Sequence, residues 1–156
     1  MRNVRRSEAY EPIFKRFTDT PHPVSGRPLF GTQREFLCFL GVLGFSAGDR
    51  LPLEGRLLEL DGRVFDTHEQ SRDIVYLLAL AGANNADILL PEKEDEAILI
   101  FEEYVAAGFR ELDRWLKECP DDHVGDQAIL TALRRDGYFG AAKPSLNQSL
   151  DDVDFS

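Results

Sequence analysis

The side chains with the chemistry to act on a substrate are few and scattered. Glu102 with Glu103 and Asp121 with Asp122 are paired carboxylates, the groups that general acid and base catalysis uses. That work needs one acid raised and one ionised in a shared pocket, which neighbouring surface acids do not supply. His22, His68 and His123 fall in predicted loops or helix starts, without the short spacings by which histidine and cysteine close on zinc. Cys38 lies inside an apolar run and Cys119 beside Pro120, in neither a metal nor a redox motif, so reduced thiols are the simpler expectation. The chain has no nucleophile elbow, phosphate-binding glycine loop or dinucleotide fingerprint. These residues predict no catalytic set, no metal and no cofactor, and the expectation is a protein that is not an enzyme.

Charge narrows the choice further. The 156 residues carry 18 Lys and Arg against 28 Asp and Glu, a formal net charge of -10. A surface so acidic repels a phosphate backbone, which argues against direct nucleic-acid binding and against acidic membranes. The one basic patch is the N-terminal arm with Arg2, Arg5 and Arg6, continued by Lys15 and Arg16; it is expected to be small and mobile. No apolar run approaches the ~18 residues that span a bilayer, and the expectation is a soluble, cytoplasmic chain with no membrane partner. The residues set no oligomeric state.

The elements that would position these groups are mostly helices. Residues 93–118 hold the longest sustained hydrophobic period: Ile98, Phe101, Val105, Leu112 and Leu116, widened by Tyr104, Phe109 and Trp115. This segment reads as the central helix, with Glu96, Glu103, Arg110, Glu111, Arg114 and Lys117 on its solvent face. Thr32 and Glu35 form a capping box that opens a helix, and from Phe36 to Phe45 nearly every residue is apolar. That helix is expected to be buried on several sides, with Gly41 and Gly44 allowing a close neighbour and Gly48 as its stop. Another apolar helix spans 72–83, a short amphipathic one follows Pro12, and a last one, capped by Asp121 or Asp122, runs through Ala128 to Leu133. Asp61-Gly62 between Leu58, Leu60 and Val64, Phe65 predicts a tight hairpin.

The predicted fold is mainly α: a compact helical domain of four to five helices with a small β-hairpin. An N-terminal arm and connector take 1–29, a single helical domain 30–138, and a flexible acidic tail 139–156. Trp115 and Phe109 suit core packing or, as large aromatics, the anchoring of a partner.

Three segments, FLCFLGVLGFSAGDRLPL at 36–53, DIVYLLALAGANNADIL at 73–89 and ILIFEEYVAAGFRELDRWL at 98–116, occur in an order that resembles the Dnd system-associated protein 4 family, small proteins encoded with DNA phosphorothioation systems. The resemblance implies an accessory part in bacterial defence against foreign DNA, beside a modification or restriction complex whose protein subunits are the expected partners. It carries no catalytic residue. Within the matching segments Gly44, Gly48, Arg50, Glu102, Glu103 and Tyr104 are the candidate partner contacts. Two rivals stand beside an interaction subunit. One is an acidic nucleic-acid mimic or inhibitor that fills the basic groove of a nuclease, aided by Asp151, Asp152, Asp154 and Phe155. The other is a reader of modified DNA working through Arg2, Arg5 and Arg6. Acids concentrated on one face favour the mimic; an exposed apolar patch favours the subunit.

Overall fold

In the computed structural model, which describes residues 1–137, two short strands and six helices follow one another along the chain. They are β1 (Val4–Ser7), α1 (Glu11–Thr18), α2 (Gln33–Ser46), β2 (Leu57–Leu60), α3 (Arg63–Asp66), α4 (Glu69–Ala83), α5 (Glu94–Glu118) and α6 (Asp126–Arg135). The architecture is mainly α with one antiparallel strand pair, as the periodicity predicts. The expected tail at 139–156 lies outside the described residues.

Local chemistry explains most of the helix boundaries. Pro12 occupies the first turn of α1, where its missing N–H costs nothing. Thr32 caps α2, its hydroxyl accepting the Glu35 N–H at 3.1 Å. Gly48 ends that helix at φ +80°, and Asn84 ends α4 in the left-handed region at φ 52°. Glu94, Asp95 and Glu96 fill the first turn of α5, where a helix N-terminus favours negative charge.

Helix α5 is the axis of the molecule, packed by α2, α4, β1 and α6. Its contact with α2 is unusually close. A Cβ on Gly44 would stand 1.9 Å from the Tyr104 carbonyl oxygen, and one on Gly108 would stand 2.0 Å from that of Leu40. The two glycines therefore let one backbone rest on the other, an approach that any side chain would block. At one end of this contact Phe14, Phe17, Phe30, Phe36, Phe39 and Phe109 form a continuous aromatic cluster, with ring centroids from 4.8 Å (Phe30 and Phe36) to 6.5 Å (Phe14 and Phe109). Trp115 and Phe109 are buried in this core, and the Trp115 indole N–H donates to Glu111.

Two expectations change. The strand pair is not a hairpin closed at Asp61-Gly62: β2 pairs with β1, in the register Val4 to Leu60 through Ser7 to Leu57. Gly62 keeps φ at -62° instead of the positive angle a tight turn requires, and Asp61 accepts the Arg63 N–H at 2.9 Å, so the dipeptide starts α3. Gly62 also leaves room for the Met1 and Arg2 carbonyls, each 2.2 Å from where its Cβ would be. The second change concerns residues 1–29. Val4, Phe14 and Phe17 belong to the same buried core as α2 and α5, so the first 17 residues are woven into the domain and not a mobile arm.

The last helix is held by Asp122, one of its two expected caps. Its carboxylate accepts the N–H groups of Gly125 at 2.8 Å and Ala128 at 2.7 Å. Burial works to raise this carboxyl; the N–H groups of Gly125, Ala128, Val124 and Gln127 outweigh it and hold Asp122 below the ordinary carboxylate range. A depressed folded value stabilises the protein above the unfolded pKa of ~3.9 and loses that contribution as pH falls through the folded one. Asp122→Ala should cost about 1 kcal/mol at neutral pH and flatten the loss of stability below about pH 4, measured by urea unfolding across the acid limb.

Candidate functional site

The six candidate contacts divide between the interior and the surface. Glu102 goes inside: it is 0% exposed at the middle of α5. Arg2 clasps its carboxylate with both terminal nitrogens, at 2.7 and 3.1 Å, and Arg5 does so through Nε and Nη2, both at 3.1 Å, while the Arg5 backbone N–H donates to it as well. Donation to the Glu102 carboxylate raises the Arg5 guanidinium above its ordinary value. The third arginine of the arm is also engaged: Arg6 is paired with Glu11 and lies 3.6 Å above the Phe14 ring. The sequence held a signal for this. Ile98, Glu102, Val105 and Phe109 share one face at helical spacing, so Glu102 is an acid placed on the apolar stripe.

Gly44 is likewise internal, at the backbone contact already described, and Tyr104 is buried beside it. Arg50, Glu103 and Tyr104 do converge. The Arg50 guanidinium donates to Glu103 at 3.2 Å and to the Gly82 carbonyl at 3.3 Å, and sits 5.9 Å from the centre of the Tyr104 ring. Gly48 is exposed and turns the chain so that Arg50 reaches back to α4 and α5, a path fixed by the Leu51 N–H donating to the Glu103 carbonyl at 3.1 Å. The cluster thus ties the end of α2 to its neighbours and shows a partner only its rim.

Beside this rim lies a surface that periodicity assigned to the core. Val42 is 43%, Phe45 46% and Leu77 62% exposed, with half-buried Phe39 and Ile74 between them. Phe45 packs edge-on against Tyr104 at 5.7 Å, which joins the apolar face to the Arg50 cluster. Residues of α2 and α4 line a 560 Å³ groove there, walled by Cys38, Phe39, Val42 and Ile74 and opening between Glu35 and Glu69. Helix α2 is buried on several sides, as expected, but not around its whole circumference, and this stripe is what remains.

The other reactive groups are tied into structure. Burial pushes the Cys38 thiol up, away from the thiolate a nucleophile needs. His22 accepts the Val24 N–H on Nδ1 at 3.1 Å, so its proton resides on Nε2 and is donated to Asp126 at 2.9 Å, linking the connector to α6. Among the described residues no three His, Cys, Asp or Glu side chains gather to hold a metal, and no helix is long and apolar enough to cross a membrane.

Glu102→Gln keeps the side-chain shape but leaves two guanidiniums facing a neutral amide, and should cost about 3–5 kcal/mol of unfolding free energy. Arg5→Ala should add clearly less in the Glu102→Gln background than in the wild type, a coupling read from urea midpoints of the four proteins.

Comparison with known proteins returns no match among curated proteins and none among solved structures. A family model does match, over residues 3–140, and so includes both strands, all six helices, Glu102 with Arg5 but not Arg2, and the apolar face. The chain belongs to the DNA sulphur modification system-associated protein 4 family.

Proposed function

We propose that this chain is a non-catalytic, protein-interaction subunit of a bacterial defence system linked to DNA sulphur modification, and that it docks on a modification or restriction subunit through the outer face of α2 and α4. The observation that carries the reading is the exposure of Val42, Phe45 and Leu77 on two neighbouring helices, around the groove that Phe39, Val42 and Ile74 line. Large apolar side chains grouped in this way mark an interaction site, whereas single exposed ones are ordinary. Covering the exposed part of each would contribute about 1 kcal/mol or more.

Two further observations support this choice over its rivals. The charges on the outer row of α5 are paired with opposite ones, on the helix or beside it: Glu103 with Arg50, Arg110 with Asp49, Arg114 with Glu111 and Glu118, Lys117 with Asp113. A nucleic-acid mimic needs unbroken rows of one sign. A reader of modified DNA would have to bring Arg2 and Arg5 to a phosphate, and so strip a buried carboxylate of its counter-charges at about 3–5 kcal/mol.

The test is affinity capture of the tagged chain co-expressed with the subunits encoded beside it, with nuclease treatment. Wild type should retain a modification or restriction subunit after nuclease, and Leu77→Glu should reduce that retention about tenfold with an unchanged melting temperature. Retention that disappears with the DNA, or that Leu77→Glu leaves intact, would contradict the proposal.

A further inference from the structure

The groove between α2 and α4 has a shape and lining that select among occupants. The two helices run the same way: Arg34 meets Ser71 at 2.9 Å near one end, and Arg50 meets the Gly82 carbonyl near the other. On α2 the residues Glu35, Phe39, Val42 and Ser46, and on α4 Gln70, Ile74, Leu77 and Ala81, follow the same i, i+4, i+7, i+11 spacing. The face is therefore about three turns long, or ~17 Å at 1.5 Å per residue.

Its middle offers no hydrogen bonds. Phe39, Val42 and Ile74 present carbon alone; of the polar side chains in the lining, Arg34 donates to the Ser71 hydroxyl, the Cys38 thiol points to the Ser71 carbonyl, and Glu35, Glu69 and Gln70 lie toward the N-terminal ends of the two helices. An extended strand laid here would bury N–H and C=O groups without partners, which opposes its binding. A helix satisfies its own backbone and brings only side chains, and two parallel helices leave a furrow into which a third fits.

Charge gives the flanks. Glu35 and Glu69 line the groove and are exposed, as is Asp73 one turn further along α4, while the cation that lines it among the described residues, Arg34, is buried and lies 3.6 Å from Glu35. The N-termini of α2 and α4 offset part of the charge of Glu35 and Glu69, but Asp73 lies a turn further in, and the chain as a whole is acidic at -10. A second copy of this chain would bring like-charged borders together, which disfavours self-association through this face.

From these features we infer that the α2–α4 groove receives an amphipathic helix of the partner, about three turns of apolar stripe bordered by Lys or Arg. This rests on the interaction-subunit reading and specifies what the partner presents.

The probe is a stapled helical peptide of about 18 residues with leucines on one stripe and lysines along its borders, and a twin with glutamate in place of lysine. Each is titrated into the full chain and followed by backbone amide shifts. The lysine peptide should move the amides of Phe39, Val42, Ile74 and Leu77 and bind about tenfold or more tightly than its twin, with Val42→Glu weakening it by a similar factor. Glu35→Lys with Asp73→Lys should narrow or reverse the preference. Equal binding of the two peptides, shifts centred elsewhere, or peptide-free self-association through the same amides would overturn the inference. If the peptides fail while capture of a natural subunit still depends on Leu77, the helix assignment falls and the interaction reading stands.

Discussion

One buried carboxylate holds the first residues of the chain to its longest helix. Glu102 sits fully enclosed in α5, where an ionised side chain is sustained only if its charge is matched and its oxygens are hydrogen bonded. β1 and the residues just before it meet both conditions at once, with the guanidiniums of Arg2 and Arg5 and the Arg5 backbone N–H. That N–H belongs to the edge of β1 that faces away from β2, so the carboxylate also finishes the strand. β1 in turn pairs β2 and so fixes where α3 begins. Residues a hundred positions apart are thereby held in one register, and the arginines that looked available to solvent are turned inward.

The tight contact of α2 with α5 has its own consequence. Gly44 and Gly108 bring the two backbones together along a single line, and α4 and the aromatic cluster close two more sides of α2. A helix apolar around its circumference and covered on only part of it must show apolar surface. The stripe of Phe39, Val42 and Phe45 is that remainder, and α4 extends it with Ile74 and Leu77. Among the described residues no further element covers this surface.

What the sequence made legible was local. Thr32, Pro12, Gly48 and the period from Ile98 to Leu116 act over one to a few turns, and each helix they predict is present. The strand pair differs from the expected hairpin because its partners are separated by 50 to 56 positions, and nothing within a short window distinguishes an Asp-Gly that turns a hairpin from one that starts a helix. Of the site, Arg50, Glu103 and Tyr104 do gather. Gly44 and Glu102 were chosen for their place in the matching segments, and their roles are internal. The α2–α4 face was missed because apolar periodicity says which side of a helix can be buried, and the number of neighbours decides how much of it is.

The arm serves the interior, and the proposed function gives the α2–α4 face to the partner. Hydrogen exchange of the chain alone, and of the chain co-purified with a modification-system subunit, tests both halves together. β1 and the middle of α5 should be equally protected in the two samples, with new protection confined to Arg34–Ser46 and Glu69–Ala81. Protection that instead appears across residues 2–7, or leaves both helices unchanged, would contradict it.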